Sequence, residues 1–179
     1  MYPTPTFDHS KSVDDFRRNG IAAFEPYKDN EFHRKKSFGG FEVYPFELVH
    51  DVPCFGFYIT HTDIGSLVYL SDTEYCKYRF PRVNHILIEA NYDKRIIDSS
   101  HPAKEHILRG HLELQTTKDF ISANKTPDLR NIILCHLSSE NADPETMQKE
   151  VQSVAGKWVR VDVAHAGDEY LLSKYPWEV

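Results

Sequence analysis

The sequence predicts an α/β layered domain, and three observations carry that expectation. Short β-branched or alternating apolar runs interleave with amphipathic helical stretches from Phe41 onward. Two of the runs, His85–Glu89 and residues 131–136, are almost continuously apolar, as strands covered on both faces are. His50, Asp72, Glu89 and His136 each stand at or just past the C-terminal end of a predicted strand, where open sheets hold their ligands. At 179 residues and 40% hydrophobic, the chain can bury about 70% of its unfolded surface in one core, so a single domain over 1–179 is expected.

Taken in order, Asp8-His9 opens a short helix over residues 10–20, where Val13, Phe16 and Arg17 recur at helical spacing and Gly20 stops it. Residues 26–40 are polar and mixed and predict a surface loop that includes His33-Arg34-Lys35-Lys36. Residues 41–50 alternate as a strand whose Pro45 suits an edge. Residues 54–60 and 66–70 form a hairpin around His61-Thr62-Asp63-Ile64-Gly65. After the His85–Glu89 strand come helices over 103–110 and 115–124, the strand 131–136, a helix over 144–155 and a last strand over 159–164. Asp143-Pro144 starts the third of these helices and Gly156 stops it. Trp158, Tyr175 and Trp177 are expected to pack against the domain.

Composition narrows the function classes. A net charge of −6 gives no overall basic field for long nucleic acid, while a local cation cluster or a metal suffices for a small anionic ligand. No run reaches the ~18 apolar residues of a membrane span, so a soluble, cytoplasmic protein is expected. Three cysteines, Cys54, Cys76 and Cys135, without CxxC spacing predict buried reduced thiols in place of a disulfide framework or a thiolate zinc site. Ten histidines is a high count, and position has to explain it.

Taken singly, each strand-end residue has a structural alternative: Asp72 as a turn former, Asp8-His9 as a helix cap, the histidines as hydrogen-bonded packing. Their order is more specific. Asp8-His9 opening a helix, His50 after a strand, Ser71-Asp72-Thr73 after a hairpin and Leu134-Cys135-His136-Leu137-Ser138 after a buried strand resemble successive metal motifs of the metallo-β-lactamase superfamily. Ile88-Glu89-Ala90-Asn91-Tyr92-Asp93 and Gly110-His111-Leu112-Glu113-Leu114 resemble the phosphodiesterase branch around ribonuclease Z, which includes the YycJ/WalJ-like nucleases and the phage anti-Pycsar cyclic-nucleotide phosphodiesterases. Glu113 departs from the serine usual in that segment.

The resemblance implies a partial αββα sandwich lacking its N-terminal strands, because only seven residues precede Asp8. It implies exposed sheet surface that a second copy of the chain would cover, hence a dimer. It implies metal-dependent hydrolysis of nucleotide or nucleic-acid phosphodiesters, with Asp8, Glu89 and His111 as catalytic residues and His111 facing the phosphate under support from Glu89. Zinc or manganese would be held by Asp8, His9, His50, Asp72 and His136. The His-x-His-x-Asp-His register falls on Thr4-Pro5-Thr6-Phe7-Asp8-His9, so both leading histidines are threonines, poor zinc ligands. One metal site then keeps only His50 and Asp72, while the other keeps Asp8, His9, Asp72 and His136, and one ion is expected in place of two. The alternatives are a catalytically impaired nucleotide binder or assembly subunit, and a fragment of a longer enzyme.

Overall fold

The computed structural model describes residues 35–97 and 104–175. Within them the chain forms seven strands, β1 (Lys36–Phe38), β2 (Phe41–Glu47), β3 (Phe55–His61), β4 (Gly65–Leu70), β5 (His85–Glu89), β6 (Asn131–Cys135) and β7 (Arg160–Val163). Three helices accompany them: α1 (Lys104–Gly110), α2 (Leu114–Asn124) and α3 (Pro144–Ala155). All strands join one sheet, whose spatial order is the chain order. β1 to β4 pair antiparallel, and β4 to β7 pair parallel.

That topology fixes where the strands end. β2 runs with β4 because two antiparallel steps separate them, so β2, β4, β5 and β6 all finish at the same edge of the sheet. His50, Asp72, Glu89 and His136, at or just past those strand ends, are therefore delivered to one side by the sheet itself.

Helices α2 and α3 pack on one sheet face. There Val68, Leu70, Ile86, Ile88, Ile132, Leu134 and Val161 meet Phe120, Ile121, Met147 and Val151 in a continuous buried cluster. Each such side chain contributes roughly 1.5–3 kcal/mol when removed from water. α3 begins as its sequence predicts: the Asp143 carboxylate accepts from Thr146 N–H at 3.0 Å, Pro144 occupies the first turn, and Gly156 at φ 93° ends it. Glu113, in place of the serine that the resemblance leads one to expect, caps α2 by accepting from Gln115 N–H at 2.8 Å.

Strand and helix expectations agree with the structure to within one to three residues, with three corrections. Lys36–Phe38, expected as loop, pairs with β2 as a strand turning at Gly39 and Gly40 (φ 52° and 91°), because the two glycines allow a tight reversal. Trp158, expected to pack, is 84% exposed with Lys157 Nζ 4.8 Å from its ring centre, and Tyr175 is likewise exposed. β2, expected as an edge because of Pro45, lies instead between β1 and β3, with Pro45 two residues past Val43, the last β2 residue paired with β1. The β7 edge is sealed by side chains: Gln152, Gln148 and Tyr170 donate to the carbonyls of Val159, Val161 and Val163. The expected helix at 10–20, the His33-Arg34 pair and Trp177 lie outside the described residues. No described helix is long and apolar enough to cross a membrane.

Candidate metal centre

At the common strand-end edge, Asp72, Glu89, His111 and His136 offer ligand atoms that all lie within 4.8 Å of one another. Asp72 follows β4, Glu89 ends β5 and His136 follows β6, while His111 stands at the exit of α1. Asp72 and His136 have φ values of 55° and 54° and are the non-glycine residues with positive φ among those described. A left-handed conformation in such residues costs energy of order 1–2 kcal/mol each and is retained where the side chain is needed.

Glu89 organises the group. It is fully buried, and its Oε1 accepts from Nδ1–H of His111 and of His136, both at 2.7 Å. Its Oε2 accepts from the backbone N–H of Thr73 and of Leu112, both at 3.3 Å. Burial works to raise the Glu89 carboxyl, but the bonds from His111 and His136 outweigh it and hold the group below the usual carboxylate range. The same bond raises His136 above an ordinary histidine, against the opposing effect of its own burial and with added attraction from Glu89 and Asp72. Asp72 Oδ1 lies 3.3 Å from His136 Nδ1 and 3.8 Å from His111 Nδ1.

His50 borders this group. Its ring stands edge-on to His111 with centroids 5.9 Å apart, and its Nδ1 pairs with the adjacent Asp51 carboxylate. Asp8 and His9, with Thr4 and Thr6, lie outside the described residues. Of the residues singled out from sequence, the structure thus brings together Asp72, Glu89, His111 and His136, with His50 alongside.

Two supporting residues carried no signal of their own in the sequence. Thr73, fully buried, joins three loops: its hydroxyl accepts from Val49 N–H at 3.0 Å and lies within bonding distance of the carbonyls of Val49 and Tyr75, while its N–H meets Glu89. It ties the segment bearing His50 to the one bearing Asp72. Asn91, also buried, donates from Nδ2 to the carbonyl of His136 at 2.8 Å and holds that left-handed residue in place. Both sit inside the metal-motif stretches, but a buried hydroxyl or amide has no distinctive spacing until its partners are known.

The donor set is two imidazoles and two carboxylates, a mixed nitrogen and oxygen set that suits zinc or manganese. The nearby thiols of Cys54 and Cys135 are pushed up to about 12, chiefly by burial, and are poor thiolate ligands. For His136, a Nδ1–H committed to a buried carboxylate leaves Nε2 as the nitrogen that could hold a metal, the usual way a carboxylate orients a metal-binding imidazole.

No protein-family model matches the chain. Over 120 residues it is 32% identical to the exodeoxyribonuclease WalJ of two Streptococcus pneumoniae strains, D39 and R6; the match takes in 62% of this chain and 45% of each relative, so the chain spans less than half the length of these curated proteins. Among solved structures it superposes on the metallo-β-lactamase fold protein YhfI of Bacillus subtilis with a TM-score of 0.60 at 18% identity, over 87% of this chain and 60% of YhfI. It also superposes on the isothiocyanate hydrolase from Delia radicum gut bacteria, with a TM-score of 0.57 at 13% identity over 90% and 64% of the two chains. For yeast PDE1 the score is 0.53 at 16% identity, over 86% and 56%. A mixed seven-stranded sheet with helices, shared with proteins of which it matches only part, identifies this chain as carrying the metallo-β-lactamase fold in partial form.

Proposed function

We propose that the chain is a metal-dependent hydrolase of phosphodiesters in nucleotides or nucleic acid. The observation that carries this reading is the convergence of Asp72, Glu89, His111 and His136 at one sheet edge, in a fold shared with metallohydrolases. Likeness over 120 residues to WalJ, an exodeoxyribonuclease, supports a phosphodiester as the bond attacked.

In this reading Asp72 and His136 are metal ligands, completed by Asp8 and His9 and bordered by His50. When bound, a zinc or manganese ion supplies Lewis-acid polarisation of a phosphoryl oxygen and lowers the pKa of water. The chain's own residues do the rest. Glu89 fixes His111 through Nδ1–H, so the opposite ring nitrogen is the one that passes a proton to the leaving oxygen. Asp8 serves as the base partner. With Thr4 and Thr6 in the first motif, Asp8, His9, Asp72 and His136 would hold one ion, and the added charge stabilisation of a second would be missing.

Those threonines also favour a second reading, a nucleotide-binding or assembly protein without turnover; in either reading a second copy of the chain would cover the sheet surface left by the missing strands. Metal content by mass spectrometry, followed by hydrolysis of a bis-aryl phosphodiester and of cyclic nucleotides, separates the two. Uptake of about one ion per chain with measurable turnover is expected. A chain that takes up no zinc or manganese and shows no turnover after loading overturns the enzymatic reading, and tight nucleotide binding without product selects the second.

A further inference from the structure

Parallel neighbours need a crossover, and the one from β4 to β5 contains no helix. Residues 71–84 return from the site edge to the opposite edge of the sheet as irregular chain. Between Tyr75 and Phe80 exposure alternates residue by residue, as it does along an extended segment lying on a surface. Cys76, Tyr78 and Phe80 point inward and pack on the core. Tyr78 and Phe80 lie 5.4 and 5.1 Å from the Phe46 ring, and Phe80 stacks on Tyr58 at 5.6 Å. Asn124 Oδ1 accepts from Phe80 N–H at 2.8 Å, and both Tyr58 and Ser66 hydroxyls donate to the Arg82 carbonyl. The segment is thus pinned along its length by hydrogen bonds and aromatic packing.

Its solvent-facing side presents Tyr75, Lys77, Arg79 and Arg82. No carboxylate intervenes between Tyr75 and Arg82, the nearest in the segment being Glu74 beside the site. Among the described residues none of the three cations forms an ion pair; Lys77 Nζ lies 5.2 Å from the Tyr78 ring centre. Lys77 and Arg79, two extended residues apart, are roughly 6.5–7 Å from one another, of the order of the phosphate spacing in an extended single strand, and Arg82 follows three residues on, past Pro81. An exposed aromatic followed by spaced cations, beginning three residues from Asp72, is the composition of a surface that stacks a base and tracks a backbone.

We infer that this crossover is the binding track for a single-stranded nucleic acid, with Tyr75 stacking a base next to the site and Lys77, Arg79 and Arg82 contacting successive phosphates. The inference rests on the phosphodiesterase reading and names its substrate as a strand in preference to a cyclic mononucleotide. It also reconciles a net charge of −6 with a polyanionic substrate, because the positive charge is local and rigidly presented.

The test is fluorescence anisotropy of a labelled 12-nucleotide oligothymidylate with the full chain in EDTA, across a salt series. Replacing all three cations (Lys77→Gln, Arg79→Gln, Arg82→Gln) is expected to weaken binding at least tenfold. It should also flatten the slope of log K against log salt by about 2, near 0.7 for each phosphate that is no longer neutralised. Tyr75→Ala should weaken binding several-fold and Tyr75→Phe restore it, which a purely electrostatic surface would not do. Unchanged affinity and slope in the triple variant overturn the track, and so does a heparin oligosaccharide of equal charge that binds as tightly as the strand. Metal uptake read separately distinguishes the two failures: salt-dependent, Tyr75-dependent strand binding in a chain that takes up no metal supports the track and removes the catalytic reading.

Discussion

Strand β5 carries a fully buried ionisable residue at each end, on the same face, and the two are put to opposite uses. At the first end, His85 donates from Nε2 to the Ile64 carbonyl at 2.9 Å and accepts at Nδ1 from the Asn131 amide at 3.0 Å. A carbonyl can only accept, so those partners fix the neutral tautomer and saturate the ring. At the other end, Glu89 is charged and accepts four donors, two of them imidazoles that reach the surface. His136, for instance, is 45% exposed at its side chain. Burial alone does not mark a functional residue. Glu89 is distinguished by partners that are themselves titratable and open to a ligand.

The largest effect expected from this contrast is at Glu89. Glu89→Gln keeps the shape but turns one oxygen into a donor facing other donors, and it removes the charge that two imidazoles share. Stability should fall by about 3 kcal/mol in denaturant unfolding, and metal uptake should drop sharply in calorimetry. A variant within about 1 kcal/mol of the wild type would show that Glu89 is as replaceable as an ordinary polar core residue, and the distinction from His85 would collapse.

His85 offers the second test, through pH. Burial lowers its pKa to about 4, with the bond to Ile64 opposing and Arg130 adding to the fall. The unfolded histidine takes up its proton near 6.5, so between about 6.5 and 4 the unfolded chain binds more protons than the folded one. The contribution of His85 is therefore complete above about 6.5 and is lost as pH falls through that window, by up to about 3 kcal/mol. Unfolding free energies measured from pH 7 to pH 4 should fall less steeply in His85→Gln than in the wild type, by up to about 1.4 kcal/mol per pH unit. Parallel curves would mean that the ring takes up its proton over the same pH range in the folded and the unfolded chain, so that burial leaves it unshifted.

Much of this was legible in the sequence, and the reasons differ by element. β5 and β6 announce themselves because a strand covered on both faces is apolar throughout, and α3 because Asp143-Pro144 and Gly156 bracket its twelve residues. Asp72, Glu89, His111 and His136 were found through the order of motifs, since strands running in one direction deliver their C-terminal residues to one edge. β1 was hidden because three residues of mixed polarity carry no period, and only their pairing with β2 makes them a strand. Thr73 and Asn91 were hidden because their role lies in partners 24 and 45 residues away. The cations after Asp72 were hidden because the alternation of Cys76, Tyr78 and Phe80 has no ladder beside it and becomes visible only when those rings are seen to face the core.

The smallest effect concerns backbone strain, and here too the sheet's two ends differ. At the far edge the chain places glycine where φ is positive: Gly65, at 75°, opens β4, and a Cβ there would meet Asn84 Oδ1 at 2.2 Å. Asn84 cannot yield, because it holds Ser66 N–H at 3.0 Å and the Asp128 carbonyl at 3.2 Å. Gly65→Ala should therefore cost about 2–3 kcal/mol, combining the left-handed penalty with the clash. At the site edge the same conformation is borne by Asp72, whose carboxylate lies 3.3 Å from His136 Nδ1. Asp72→Gly relieves that strain but gives up the 3.3 Å contact with His136, so thermal unfolding should show a gain of up to about 1 kcal/mol while metal uptake falls. A stabilised chain with weakened metal binding would mean that the site edge keeps a conformation the rest of the sheet leaves to glycine because chemistry requires a side chain there. A loss of more than about 1 kcal/mol would mean instead that Asp72 is held by its contacts, as Asn84 is, and the two edges would then differ only in residue type.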